Sequence, residues 1–357
     1  MSNNGELEVE LTEPGTPTAS PPGPVDPNMR RSWLARNLWL VAALCAFVLN
    51  GVANFLLGQA TSHEASAAQS GAAEVPFPVG SMLLVATGSG LVAVPFLCGF
   101  AATATTRKHF IDQMRLRQAI AANVVASLCN YSAIISLGIA YALDPGGKGI
   151  VSSISAVNCL VVAVVARFAF NEQLTAIHYV GMTVCVAGVI VISAGSATSG
   201  SLSSFGFGLL AMLLFAVTTL FVKLSAKRFG SSAAASSFVV IATQAVIGVA
   251  FCVVQAARGV PLQGALADDD VLLALSSGIV LRFATIALTI GVVQGLAGPT
   301  SAIALTNGAL VLILDVAIIG SVPGAVKLVG MFIALAGVLC LTLAPQIGKC
   351  TRKCREK

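Results

Sequence analysis

Long apolar runs constrain this chain more than any other feature of its sequence. A helix of about 20 apolar residues crosses the ~30 Å hydrocarbon core of a bilayer, and such runs follow one another along most of the chain. They predict ten transmembrane spans, at about 38–58, 80–102, 119–141, 149–170, 176–195, 204–223, 234–256, 271–294, 299–319 and 324–344. Only 10% of the residues are charged, whereas soluble domains carry roughly 25%. We therefore expect an all-α membrane protein whose main partner is the lipid bilayer.

Basic residues predict the orientation of these spans. With ten spans, fifteen of the 20 Lys and Arg residues fall on one face of the membrane: Arg30, Arg31, Arg36, Arg107, Lys108, Arg115, Arg117, Lys223, Lys227, Arg228, Lys349, Arg352, Lys353, Arg355 and Lys357. Cytoplasmic loops carry an excess of Lys and Arg, so we expect a multi-pass protein with both termini in the cytosol. Residues 1–36 predict a disordered cytosolic arm, and 346–357 predict a basic cytosolic tail.

The second half of the chain repeats the first. Two motifs recur at an offset of 149 residues, Val180-Gly181-Met182 with Ala187-Gly188-Val189, and Val329-Gly330-Met331 with Ala336-Gly337-Val338. The same offset pairs Asn158 with Asn307. An internal repeat is therefore predicted.

The predicted spans fall into two repeats, 37–196 and 197–345, with five spans in each. Because five is an odd number, the second repeat enters the membrane from the opposite side. An inverted 5+5 repeat is typical of transporters, in which one half rocks against the other.

The sequence argues against enzymes, metalloproteins and nucleic-acid-binding proteins. His63, His109 and His178 lie far apart in the sequence on both sides of the membrane, so no metal centre or nucleophile–base pair is visible. No phosphate-binding loop and no basic stripe interleaved with aromatic residues is present. We expect no catalytic residue, no metal, no cofactor and no nucleic-acid partner.

The end of the first repeat carries a family resemblance. Phe170-Asn171-Glu172-Gln173-Leu174 leads into Val180-Gly181-Met182. It resembles the end of each repeat in EamA-like members of the drug/metabolite transporter superfamily, where a Gly-Glu-Arg/Gln-Leu turn leads into a glycine-containing fifth helix. Asn171 stands in place of that Gly, and the second copy, Gly320-Ser321-Val322, lacks the acid. The resemblance covers about residues 37–345 and implies a ten-helix transporter of a small organic metabolite.

Two asparagines are the leading candidates for contact with a solute. Asn158 and Asn307 each lie about 13 Å from the face where their span enters, close to the membrane midplane. Buried polar side chains in lipid are costly and tend to mark transport pathways. An amide can donate and accept, which suits a small polar solute. The alternative is that each amide bonds a neighbouring helix and only holds the bundle together.

Charged residues within the spans give a second set of candidates. Arg282 is the only basic residue that appears deep in a predicted span, and it either binds an anionic group or is neutralised by Asp315. Asp315 is the only acid well inside the membrane and is the candidate for proton coupling.

Further polar residues could line the same cavity, although each could equally serve helix packing. They are Asn50, Asn54, Asn130, Tyr131 and Gln244. Two stripes of small residues at helical spacing are predicted to be packing faces, with a homodimer as one use: Gly181, Cys185 and Gly188, and Gly330, Ala334 and Gly337.

These features together predict a secondary transporter that moves a small polar organic solute by alternating access. Two other classes fit a chain of this kind. One is a non-transporting membrane scaffold or receptor that presents its cytosolic tails to partners. The other is a cation channel or carrier of similar layout, which would need acids near the midplane.

Overall fold

The computed structural model describes residues 33–69, 88, 90–95, 112, 116–143, 157–194, 202–257, 268–320 and 324–355. These residues are almost entirely helical and contain no strand. The helices are α1 Trp33–Gln69, α2 Arg117–Leu143, α3 Asn158–Phe170, α4 Ala176–Ala194, α5 Leu202–Phe229, α6 Ala233–Ala257, α7 Asp268–Gln294, α8 Ala297–Leu305, α9 Gly308–Leu314 and α10 Ala325–Arg355. A π-helical turn, Asp315–Ile319, continues α9.

Seven described segments are long and apolar enough to cross a membrane: Asn37–Gln59, Arg117–Ala140, Leu202–Phe229, Ala233–Ala250, Leu275–Gln294, Ala297–Ile319 and Ala325–Ala344. Two shorter apolar helices, Asn158–Phe170 and Ala176–Ile192, accompany them. Large apolar side chains such as Phe168 and Leu202 stay exposed, as expected of surface that faces lipid. The all-helical class and the several membrane-spanning segments agree with the sequence prediction.

Hydrogen bonds to α2 show the directions of two neighbouring helices. Toward α5, Ser225 Oγ donates to Ala119 O, Thr218 Oγ1 to Ala126 O and Ser204 Oγ to Ala140 O. One residue number falls as the other rises, so α2 and α5 run antiparallel. Toward α6, Asn123 donates to Ser236, Ser127 to Val240 O and Gln244 to Asn130. Here both numbers rise together, so α2 and α6 run parallel.

The two small-residue stripes pack against each other and hold α4 beside α10. A Cβ built on Gly188 would meet Ala334, and one built on Gly337 would meet Cys185. Likewise Gly181 faces Leu341, and Gly330 faces Ile192. These pairs show that α4 and α10 run antiparallel. Adding 149 to the α4 residue of a pair and subtracting 149 from its α10 partner gives another observed pair. The packing role of the stripes is confirmed. Within one chain each stripe is covered by the other, and the homodimer stays a prediction.

Equivalent left-handed residues end the helices of the two copies. Asn171 ends α3 with φ 52°, and Gly320 follows the π-helical turn with φ 73°. Asn and Gly are the residues that adopt this conformation most readily, so Asn171 and Gly320 suit equivalent helix ends. The two positions are separated by the repeat offset of 149.

Some predicted boundaries change and others lie outside the described residues. The helix α5 continues to Phe229, beyond the predicted end at 223. The helix α1 begins at Trp33, inside the predicted disordered arm, and α10 continues to Arg355 through most of the predicted tail. The remainder of the arm and most of the second predicted span lie outside the described residues.

Candidate functional site

A cavity of about 130 Å³ lies among α1, α2, α5, α6, α7 and the break between α8 and α9. Its polar lining consists of Asn50, Asn54, Asn130, Thr218, Thr285, Thr289 and Asn307, and most of the remainder is Leu, Ile, Val and Phe. Among the described lining residues none is charged. An apolar wall with a few converging polar groups is the usual composition of a small-molecule site.

The helix break places Asn307 at this cavity. The predicted ninth span is interrupted, since α8 ends at Leu305 and α9 begins at Gly308. Thr306 Oγ1 donates at 2.6 Å to Ala302 O, a carbonyl that also accepts from Thr306 N at 3.2 Å. Discontinuous helices of this kind form binding sites at the midplane of many transporters, because they release polar backbone groups toward a cavity.

Amides from the two halves of the sequence meet at the break. Asn54 Nδ2 donates to Asn307 Oδ1 at 3.3 Å, and Asn307 Nδ2 donates to Ala304 O at 3.2 Å. Asn50 lies one turn before Asn54 on α1 and lines the same cavity. The structure therefore brings together Asn50, Asn54 and Asn307, as the sequence suggested.

A second amide pair contributes one residue to the lining. Gln244 Nε2 donates to Asn130 Oδ1 at 2.8 Å, joining α6 to α2. Asn130 lines the cavity, whereas Gln244 is fully buried behind it. The contact occupies one Asn130 oxygen site and orients its amide, so Gln244 supports the cavity from the second layer.

Asn158 is buried at the start of α3 and is not among these lining residues. It begins α3 and is almost completely buried, with no hydrogen-bond partner for its Oδ1 among the described residues. The helix α3 packs closely on α8, where a Cβ built on Gly298 would lie 2.6 Å from Ala163 Cβ. The two repeat-related asparagines are thus on contacting elements, but only Asn307 lines the cavity.

Arg282 is fully buried in α7. Its Nε and both Nη atoms have no hydrogen-bond partner within the described part of the chain. Tyr131, which is also buried, interacts with it electrostatically. Asp315 begins the π-helical turn, but its side chain lies outside the described residues. The predicted pairing of Arg282 with Asp315 therefore stays a prediction.

Sequence reasoning missed a buried ion pair between Glu172 and Lys223. Lys223 Nζ lies 2.9 Å from Glu172 Oε1. The contact is an ion pair without the geometry of a hydrogen bond. Both side chains are less than 9% exposed. Lys223 was predicted to be a cytosolic loop charge, which is wrong, because α5 continues past it and the ion pair compensates its burial. Arg282 is therefore not the only basic residue deep in a helix.

The ion pair also caps two helix ends. Lys223 Nζ donates to Val292 O at 2.9 Å and to Gly295 O at 2.5 Å, where α7 ends. Glu172 Oε2 accepts from Ala297 N at 3.1 Å, where α8 begins. A cation at a helix C-terminus and an anion at an N-terminus both match the helix dipole. Glu172 was visible in the sequence only through a resemblance, and no sequence signal gave its partner.

Comparison with known proteins gives a fold match only. No family model and no curated protein matches this chain. A crystal structure of a protein shares the fold with a TM-score of 0.62 and 15% sequence identity. The match covers 87% of this chain and 98% of that chain. At this identity the likeness describes the architecture and carries no information about solutes.

Proposed function

We propose that this protein is a secondary transporter that moves a small polar organic solute across a membrane by alternating access. In this proposal it is an EamA-like member of the drug/metabolite transporter superfamily, with ten helices in an inverted 5+5 repeat. The observation that carries the proposal is the cavity, because its polar lining combines Asn50, Asn54 and Asn130 of the first repeat with Asn307 of the second.

The helix register supports the inverted repeat. The helix α4 is antiparallel to α10, and its Gly188 contact with Ala334 has a repeat-related counterpart in Gly337 with Cys185. Two elements related by an in-plane axis must be antiparallel and must make such reciprocal contacts. The parallel pair α2 and α6 and the antiparallel pair α2 and α5 also agree with one membrane crossing for each predicted span.

The polar groups fit recognition of a solute that both donates and accepts hydrogen bonds. Asn54 and Asn307 already satisfy each other in part, at 3.3 Å. A solute group that replaces this long bond with two shorter ones gains binding energy, since net hydrogen-bond contributions are about 0.5–1.5 kcal/mol each. Asn158 remains a proposed contact in another conformation, and Asp315 the proposed coupling acid.

The Glu172–Lys223 ion pair suits a barrier that has to open. Glu172 belongs to the first repeat, and Lys223 and Ala297 belong to the second. Rocking one repeat against the other would separate these groups at the predicted cytosolic ends of α3, α5 and α7. A scaffold has no need for such a link or for an amide-lined cavity. A cation channel is disfavoured, because no acid lines the cavity among the described residues.

Transport is tested with the purified full-length protein in proteoliposomes. Vesicles are loaded with a solute mixture, and counterflow of labelled amino acids, sugars, sugar phosphates and carboxylates is measured. For a solute that exchanges, Asn307→Ala should raise the half-saturation concentration about tenfold, the equivalent of ~1.4 kcal/mol. Ser276→Ala is the matched control, since its hydroxyl bonds only its own helix at Leu272 O and Leu273 O. Folded protein that exchanges no solute in the panel would contradict the proposal.

A further inference from the structure

Arg282 carries a charge that the described protein does not compensate. The side chain is 0% exposed, and all three guanidinium nitrogens lack hydrogen-bond partners among the described residues. Lys223, the other buried cation, has a carboxylate and two carbonyls around its Nζ. An arginine stays protonated in proteins, and an unpaired buried charge is strongly destabilising. A chain that retains such a group therefore has a use for it.

Arg282 lies beside the amide-lined cavity. Thr285 and Thr289, three and seven residues later on α7, both line the cavity. Positions at this spacing share one helix face, so Arg282 lies on the border of the cavity face, about one turn or ~5 Å nearer the N-terminus of α7. Arg282 also interacts electrostatically with Tyr131 of α2, the residue that follows the cavity-lining Asn130.

We propose that Arg282 is the anion-binding group of this cavity and that the solute carries an oxyanion, either a carboxylate or a phosphate. This inference rests on the proposed function and names the class of its substrate. A guanidinium offers donors in a planar fork that matches two oxygens of such a group. The threonines and asparagines of the cavity then bind the uncharged part of the same solute. Among the described residues no group compensates this charge, and a neutral solute would supply none.

The first test compares the stability of the protein without ligand. Arg282→Met keeps most of the apolar side-chain volume and removes the charge. The thermal unfolding midpoint should rise by about 2 °C or more, because an uncompensated buried cation has been removed. Lys327→Met, a change of the same type at a partly buried lysine of α10, is the control and should change the midpoint less. If Arg282→Met lowers the midpoint, the arginine is a structural charge with its own partner, and the proposal is wrong.

The second test uses matched anionic and neutral probes on the wild type and Arg282→Met. The probes are glycerol 3-phosphate against glycerol, lactate against lactamide, and inorganic phosphate against equal ionic strength of chloride. At least one oxyanion should raise the wild-type midpoint, and its neutral partner should not. The concentration needed for this shift should rise about tenfold or more in Arg282→Met. Stabilisation by the phosphate or the carboxylate member identifies the class of oxyanion.

Contrary results separate the two proposals. If no oxyanion stabilises the wild type, or if the neutral probes act equally, the anion site is wrong. If vesicles exchange a neutral solute and Arg282→Met leaves that exchange unchanged, transport stands and the anion site fails. If oxyanions bind through Arg282 but no solute crosses the membrane, the site stands and the transport proposal fails.

Discussion

The contact between α4 and α10 gives the sharpest test of the packing, through Gly188→Ala. A Cβ at this position would lie 2.6 Å from Ala334 Cα and 2.7 Å from Ala334 Cβ. These atoms belong to a helix backbone and its first side-chain carbon, so they cannot rotate away. The helices must separate, which also disturbs the neighbouring contacts along both stripes.

The expected cost follows from comparison with an open position. Alanine favours a helix over glycine by about 0.8–1.0 kcal/mol, and this gain applies equally to Gly206→Ala on α5, where a Cβ meets nothing within 4 Å. The difference between the two variants isolates the clash, and overpacking costs about 1–3 kcal/mol. Gly337→Ala should cost the same as Gly188→Ala, because its Cβ would lie 2.5 Å from Cys185 N in the repeat-related contact.

The assay is reversible unfolding of each purified variant in mixed micelles, with free energies compared under one set of conditions. We expect the free energies of unfolding of Gly188→Ala and Gly337→Ala to be lower than that of Gly206→Ala by similar amounts. If Gly188→Ala is as stable as Gly206→Ala, the stripes do not hold the two helices together. If only one of the two stripe variants is destabilised, the two reciprocal contacts do not contribute equally to stability.

Three further results are expected. Asn158→Ala should lower thermal stability if its amide holds α3 in place. If the amide contacts solute instead, the same change should weaken solute affinity without loss of folded protein. A variant with unchanged stability and unchanged affinity would remove Asn158 from the site. Glu172→Gln should lower the free energy of unfolding by about 3–5 kcal/mol, the usual cost of breaking a buried pair. The double variant Glu172→Gln with Lys223→Met should recover much of this loss. If the losses of the two single variants add up in the double variant, the two residues are not coupled. Limited proteolysis of sealed inside-out vesicles should cut both termini, and protection of either tail would overturn the predicted orientation.

Much of the helical architecture could be predicted from the sequence, because lipid imposes a simple rule. A backbone in hydrocarbon must satisfy its own hydrogen bonds, so apolar runs become helices. The offset that aligns Gly188 with Gly337 likewise depended only on residue spacing, and both residues occupy equivalent contacts. Hydropathy does not determine the residue at which a helix ends. It placed the end of α5 at 223, because a buried lysine is indistinguishable from a loop lysine until its partners are known.

The candidate site could be predicted only in part. Asn50, Asn130 and Asn307 were visible as amides within apolar runs, and they line one cavity. Which helix faces meet depends on packing, and a single sequence does not contain that information. Asn158 therefore had the same signal as Asn307 but is buried at the start of α3 and does not line this cavity. The partnership of Glu172 with Lys223 joins positions 51 residues apart across two repeats, and no local pattern connects them.

In the proposed inverted repeat, the Glu172–Lys223 ion pair would make the two membrane faces of the protein unequal. The repeat offset takes Glu172 to Ser321, which has no charge. If the two inverted halves were identical, closing the protein toward either compartment would have the same free energy. In the proposed transporter, one compartment would face a barrier reinforced by an ion pair and two capped helix ends, and the sequence offers no equivalent acid for the other. We therefore expect the resting protein to favour one facing and to exchange solute at different rates from its two sides.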